Sequence, residues 1–269
     1  MENKVTFEKF DFGKRMKSML KVDFKRMFKS RVFYILIACA LVMPILMTVM
    51  MAMMDGSVSV DPQTGVETVM KGPENTWQNI GTLPGGEAMG GSEIFMMCNI
   101  NMVFMIVAVF VCLFISDDFR SGYAKNLFTV RAKKGDYIIS KTLAGFVCGA
   151  LMLIAYFIGS VLGGAMAGLS FELHGLNAGN IVMCMLAKIF LMLVFVSIFT
   201  LISVAAKHRA WLSICGSLGG GMLLFMMVGM ITPLSSTILN VILCLAGGAM
   251  FAFGLGAASN VVLKKTSLV

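Results

Sequence analysis

The sequence predicts an all-α integral membrane protein. It has six membrane-spanning helices, an amphipathic interfacial helix before them, and a short cytoplasmic helix between the second and third spans. Three observations carry this. Lys and Arg total 22 and Asp and Glu 14, yet every one of them except Lys188 falls outside six apolar runs. Those runs are Val32–Met54, Ile94–Ser116, Thr142–Leu169, Ile181–Ala206, Ala210–Ile231 and Ile238–Leu263. Each has the ~20 residues that a ~30 Å hydrocarbon layer requires. The charges between the runs also alternate in sign from one connection to the next.

That alternation orients the chain. Residues 1–31 hold ten Lys/Arg against Glu2, Glu8, Asp11 and Asp23. Residues 117–141 hold Arg120, Lys125, Arg131, Lys133, Lys134 and Lys141 against Asp117, Asp118 and Asp136. Lys207 with Arg209, and Lys264 with Lys265, extend the basic set. The intervening connections are acidic: residues 55–93 carry six acids and only Lys71, and Glu172 lies in the next one. Lys and Arg collect on the cytoplasmic side of short loops. Both termini are therefore expected in the cytoplasm, in an inner or plasma membrane. The net charge of +8 is a topology signal spread over loops, so nucleic acid is not expected as a partner. The first run exceeds a signal-peptide core and lacks a small-residue cleavage site, so it is expected to stay.

Residues 1–31 form a basic tail with a helix in it. Phe12, Met16, Met19, Leu20, Phe24, Met27 and Phe28 recur at helical spacing, with Lys and Arg filling the gaps. This pattern suits a helix lying along the inner leaflet. Residues 32–263 form the membrane domain and 264–269 a short tail. In the outer loop 55–93, two β-prone runs, Ser57–Val60 and Val66–Met70, flank Asp61-Pro62-Gln63-Thr64-Gly65 and predict a hairpin. The breakers Gly72-Pro73 and Leu83-Pro84-Gly85-Gly86 follow, with Trp77 placed to dock at an interface. The loop reads as a compact cap over the span ends. Gly145/Gly149, Gly159/Gly163, Gly164/Gly168 and Gly216/Gly220 permit close helix approach in lipid. No internal repeat is visible, which disfavours carriers built from repeated halves.

Catalytic chemistry is not expected. His174 and His208 lie in different loops, and the runs contain no Asp or Glu to couple protons or sodium. The seven cysteines are scattered through the spans, without zinc-like spacing and without a pair in the outer loop. The 26 methionines suit greasy packing; without flanking His or Cys they do not specify a metal. Gly135-Asp136-Tyr137-Ile138-Ile139-Ser140-Lys141-Thr142 approaches a phosphate-binding loop. Ser140 replaces its second glycine and no strand precedes it, so the motif fails. Energy for uphill movement must come from another subunit, and no cofactor is expected in this chain. Lys188 lies about two turns into the fourth run, where its stem can snorkel to the interface. The alternative is contact with an anionic head group or substrate.

The segment 117–141 is the most informative. An acidic pair, Asp117-Asp118, leaves the second span; Arg120-Ser121-Gly122 and a short helical stretch follow; Arg131-Ala132-Lys133-Lys134 precedes an apolar re-entry at Tyr137 and Lys141. This order resembles the cytoplasmic loop of type-2 ATP-binding-cassette exporter permeases, and the layout of the whole chain is similar to theirs. The resemblance implies a permease subunit that pairs with a second permease, identical or different, and with two copies of a cytoplasmic ATPase that carries ATP and Mg. The coupling residues it implies are Asp118, Arg120, Gly122, Tyr123, Lys125, Asn126, Leu127, Phe128 and Arg131. Tyr123, Leu127 and Phe128 would then be apolar anchors on the ATPase, with Arg120, Lys125, Arg131 and Lys133 as charged rim. The substrate class is an amphipathic or lipophilic peptide, drug or lipid-like molecule, as in antimicrobial-peptide export or self-immunity. The other reading is a membrane scaffold or sensor whose basic loops recruit a cytoplasmic partner. ATPase-dependent substrate movement separates the two.

The charge pattern makes one direct prediction. With the endogenous thiols replaced, Ser57→Cys should react with an impermeant maleimide only from outside the cell and Ser121→Cys only after permeabilisation. The opposite labelling would overturn the six-span topology.

Overall fold

A computed structural model describes residues 12–60, 67–69, 71–81, 99–130, 133–173 and 175–265. Phe7, Phe10, the hairpin turn Asp61–Gly65, the breakers at 83–86, the first residues of the second apolar run and Arg131 lie outside these residues. The described chain is helical apart from one small hairpin. Helix α1 spans Phe12–Lys29 and α2 Arg31–Met53. Strands β1 (Val58–Val60) and β2 (Glu67–Val69) pair antiparallel, with Ser59 opposite Thr68. A 3₁₀ turn covers Thr76–Asn79. Then come α3 (Met102–Arg120), α4 (Tyr123–Val130), α5 (Lys134–Met166), α6 (Ala178–Ala206), α7 (Ala210–Ile231) and α8 (Ile238–Lys265). Six of these, α2, α3 and α5 to α8, are long and apolar enough to cross a membrane.

Two boundaries differ from the apolar runs. Helix α5 starts at Lys134, two turns before Thr142, because the helical pattern continues through the charged residues before the apolar segment begins. Helix α3 starts at Met102, after a turn over residues 99–101. Length and hydropathy locate what lipid can cover; a helix ends where its backbone bonds end.

The centre of the bundle is built from α3, α5 and α6. Val103, Phe104, Val107 and Ile115 of α3 meet Met152 and Tyr156 of α5 and Met192, Phe195 and Phe199 of α6. The Phe104 and Phe195 rings lie 4.6 Å apart. Outer helices instead leave large apolar side chains exposed: Tyr34, Ile35 and Leu46 on α2, Leu223 and Met230 on α7, Leu243 and Phe253 on α8. A soluble protein would bury such faces; lipid solvates them.

Helix α2 reaches the bundle through α5, and glycine makes that approach possible. A Cβ on Gly159 would collide with the Leu41 carbonyl oxygen and Pro44, and one on Gly163 would press on Ile45 and Pro44. This is close small-residue packing in an apolar medium, where van der Waals contact replaces the hydrophobic effect. Pro44 sits inside α2, and Thr48 donates from its hydroxyl to the Pro44 carbonyl at 2.7 Å. The Thr48 hydroxyl also accepts from Asn79 Nδ2 at 2.7 Å. That bond ties α2 to the 3₁₀ turn, whose backbone bonds Ser170 (Thr76 N to Ser170 O, 3.0 Å). Trp77 Nε1 donates to the Phe171 carbonyl at 3.0 Å and Asn75 Nδ2 to the Glu172 carbonyl at 2.7 Å. Residues 71–81 thus cap the ends of α2 and α5, and Trp77 docks on protein.

Helix α1 packs on α5. Met16, Met19, Asp23 and Met27, one stripe of the helix, are buried there. The apolar stripe expected to face the leaflet therefore faces protein in large part, while Val22 and Phe28 remain exposed beside it.

Gly159→Leu should destabilise the chain by about 1–3 kcal/mol or more, since backbone must move to admit the side chain. Gly256→Leu, where added atoms meet open space, is the control. Thermal unfolding in detergent reads both, and equal midpoints would refute the packing argument.

Candidate functional site: the coupling region

The end of α3 is closed by Ser121, whose amide and hydroxyl both bond the Asp117 carbonyl, at 2.9 and 2.6 Å. Gly122 then reverses the chain with φ of +74°, a conformation that disfavours any side chain. Its carbonyl accepts from the Asn126 amide at 3.0 Å and starts α4. Helix α4 is too short to be stable by itself, so side-chain packing must hold it. Ala124 is buried, Tyr123, Leu127 and Phe128 are half-buried, and Phe128 meets Tyr137 of α5 edge-on at 5.4 Å.

The apolar side of α4 is turned largely onto the protein's own α5 and core, which leaves Tyr123, Leu127 and Phe128 partly exposed. The face left in solvent carries Arg120, Ser121, Lys125, Asn126 and Thr129. An amphipathic helix beside a large apolar surface covers its apolar face at the nearest opportunity, and α5 begins at Lys134, shortly after α4 ends at Val130.

Beneath α4 lies a buried ionic cluster. Lys141 of α5 is 1% exposed, and its Nζ is 2.7 Å from Asp23 Oδ1 and 2.7 Å from Asp118 Oδ2. Asp118 also takes Arg26 Nη1 at 2.6 Å and the Tyr137 hydroxyl at 3.0 Å. Asp23 accepts from the Ser140 hydroxyl at 2.5 Å. Two carboxylates and two cations thus balance, with Asp23, Asp118 and Lys141 buried and Arg26 partly exposed at the edge, and they come from α1, α3 and α5. The guanidinium of Arg26 lies over the Tyr123 ring at 4.2 Å, which brings in α4, and Lys141 Nζ is 3.9 Å from the Phe114 centroid. Burial alone would lower the Arg26 pKa, but the charge and hydrogen bond of Asp118 outweigh it and the pKa rises. Burial, then the charge of Asp23, raises the Tyr123 phenol. Arg26 therefore stays charged and Tyr123 neutral. Two outer ties complete the region: Arg15 Nε to Asp136 Oδ2 at 2.9 Å, and Lys134 Nζ to the Leu263 carbonyl at the end of α8, 2.9 Å.

Of the residues expected in the coupling set, Asp118 is the centre of the cluster, Gly122 the reversal, and Tyr123 its lid. Leu127 and Phe128 hold α4 down, and Arg120, Lys125 and Asn126 line the free face. Sequence reasoning missed Asp23, Arg26, Tyr137 and Ser140, and assigned Lys141 only as the start of a span. One signal was available. Asp23 is the single acid in α1 and stands in the methionine stripe, where an unpaired carboxylate would be buried at high cost.

Lys188 lies at the end of the bundle away from α4, and it does not snorkel. It is fully buried, and its Nζ donates to Asn101 Oδ1 at 2.8 Å and Thr232 Oγ1 at 2.9 Å. The neighbouring ends of α3 and α7 supply these oxygens inside the bundle, so the stem has no need to reach the interface.

A cytoplasmic-type short helix clamped between the second and third of six spans, with a basic first helix, defines an arrangement that comparison with known families can test. The family described as ABC-2 family transporter protein matches residues 19–223. The chain belongs to this family. Comparison with curated proteins and with solved structures gives no match. The match runs from α1 through most of α7, so it includes the whole ionic cluster and α4. An ABC-2 chain is the membrane permease component of an ABC transporter, and membership implies an ABC ATPase partner and a membrane setting.

Lys141→Met should cost the permease about 3–5 kcal/mol, because it leaves Asp23 and Asp118 facing each other in a buried site. Adding Asp23→Asn and Asp118→Asn to Lys141→Met should recover a large part of that loss. Unfolding midpoints of the purified chain measure both, and a Lys141→Met midpoint equal to wild type would remove the cluster from the account.

Proposed function

We propose that this permease is the transport subunit of an exporter that moves an amphipathic or lipophilic substrate, a peptide, drug or lipid-like molecule. In this reading it works as a homo- or heterodimer with two copies of a cytoplasmic ABC ATPase, which hold the ATP and Mg. The observation that supports it is the clamped α4: a short helix with a polar free face, joined through one buried ionic cluster to α1, α3 and α5. A push on such a helix is delivered to several spans together, since none of the four can move without disturbing Asp118 or Lys141. The cell membrane and cytoplasmic termini belong to the same reading and are supported by the basic loops. In this reading Arg120, Lys125, Asn126 and Thr129 of the free face make the ATPase contact, with Arg131 and Lys133 beside them in sequence. Charged contacts at a rim act mainly on association rate and specificity, and they weaken with salt.

The test uses the permease purified with its ATPase from native membranes. Lys125→Glu with Asn126→Arg should reduce ATPase retention about tenfold or more, with the defect growing less visible at high salt as the wild-type contact also weakens. The unfolding midpoint should not change, because both side chains are exposed. Tyr123→Ala with Leu127→Ala should instead lower the midpoint as well as coupling. Full retention and full substrate-stimulated hydrolysis in the Lys125/Asn126 variant would favour the scaffold reading, in which these loops serve another partner.

A further inference from the structure

Between α6, α7 and α8, at the end of the bundle away from α4, lies a cavity of about 440 Å³ that opens on the lipid-facing side, where Met230 and Leu243 are exposed. That is within the ~300–1,000 Å³ range of small-molecule sites. Its wall is apolar, with Phe195, Leu224, Met227, Leu243 and Phe251 among the lining side chains and Asn240 near its end. Met227 can adapt to irregular alkyl shapes. Lys188 lies beside it. Leu191, one turn further along α6, lines the cavity, and so does Val228, whose carbonyl accepts from the Thr232 hydroxyl that Lys188 bonds. Among the described residues the hydrogen-bond acceptors of this ammonium are Asn101 and Thr232, both neutral. An ammonium has three donors, and a charge held within an apolar segment with neutral partners alone is costly unless function requires it. Thr232 can also release it cheaply. Its hydroxyl donates to the Val228 carbonyl at 2.7 Å and keeps that bond if Lys188 turns to another acceptor.

We propose that the cavity and Lys188 together form a binding site for a single-chain anionic amphiphile, its alkyl chain in the cavity and its acidic group paired with the Lys188 ammonium. Asn101 remains as the second partner of the ammonium. This names a substrate class for the transporter and rests on that reading for the fate of the ligand, though not for its binding.

The full chain, purified in neutral detergent, is incubated with oleate, oleyl alcohol or oleylamine, and bound amphiphile is counted by native mass spectrometry. Wild type should retain oleate about tenfold better than oleyl alcohol, the discrimination expected of one charge-assisted hydrogen bond, and oleylamine least. Lys188→Met should bring oleate and oleyl alcohol level, and Lys188→Arg should keep the preference. Gly247 lines the cavity and its Cβ position meets open space, so Gly247→Phe should fill the cavity and lower retention of all three. The site is overturned if wild type shows no preference for the acid, if Lys188→Met keeps it, or if Gly247→Phe retains all three as wild type does. Should Lys188→Met fail to fold, Lys188→Arg and Gly247→Phe decide on the same terms. Binding is read on the permease alone. An acid preference alongside failed ATPase retention would therefore keep the site and remove the transporter reading, and the reverse result would do the opposite.

Discussion

Asp118 cannot be satisfied by one partner, and the α4 end of this permease is arranged around that fact. Its two carboxylate oxygens meet Lys141, Arg26 and Tyr137, and Lys141 in turn requires Asp23. A buried ion pair is weak evidence for stability, because desolvation offsets much of the attraction. What it does provide is specificity of place. Each group is tolerable only while all the others are present, so α1, α3 and α5 have one relative position that leaves no buried charge alone. The second carboxylate makes the arrangement neutral; without Asp23, Lys141 and Arg26 would face Asp118 with an excess positive charge. Tyr123 then closes the cluster from α4 through a ring that only a cation above it would favour.

The other half of the molecule is held by different physics. There the packing is of small residues and apolar chains, as at Gly159 and Gly163 against α2, with few polar ties that are all neutral or singly charged. Asn79 links Thr48 to the capping turn, and Lys188 links the end of α7 to the start of α3. Contacts of this kind hold by shape, since Gly159 and Gly163 admit the α2 backbone only where no side chain stands between. An ionic cluster fixes one end of the bundle and close apolar packing the other.

Much of this was legible in the sequence. Six apolar runs, free of charge but for Lys188, specify six helices because hydrocarbon admits hardly any alternative backbone, and the methionine and phenylalanine spacing of residues 12–28 specifies α1. The hairpin strands Val58–Val60 and Glu67–Val69 lie where β-branched runs placed them. What was not legible depends on long-range meetings. Lys188 is two turns from an interface, which suggested snorkelling; its true partners lie 87 and 44 residues away. The amphipathic pattern of α4 distinguished its two faces correctly but could not say which surface the apolar one would cover. Likewise Asp23 looked like one acid in a basic tail, and only its position in the methionine stripe pointed inward.

The orientation of α4 also constrains what can grip it. Its apolar side is largely occupied, so a partner gains only the partly exposed remainder of Leu127 and Phe128 while α4 stays on α5. The remaining face offers Lys125, Arg120 and the amide of Asn126, which call for acceptors and carboxylates. A contact of that kind gains from electrostatic steering and weakens with salt. Stiffness is then supplied from the other side, by Arg26 over Tyr123 and by Asp118 beneath. The exposed face of α4 is thus polar, and the charges that hold the helix in place lie inside, shared with α1, α3 and α5.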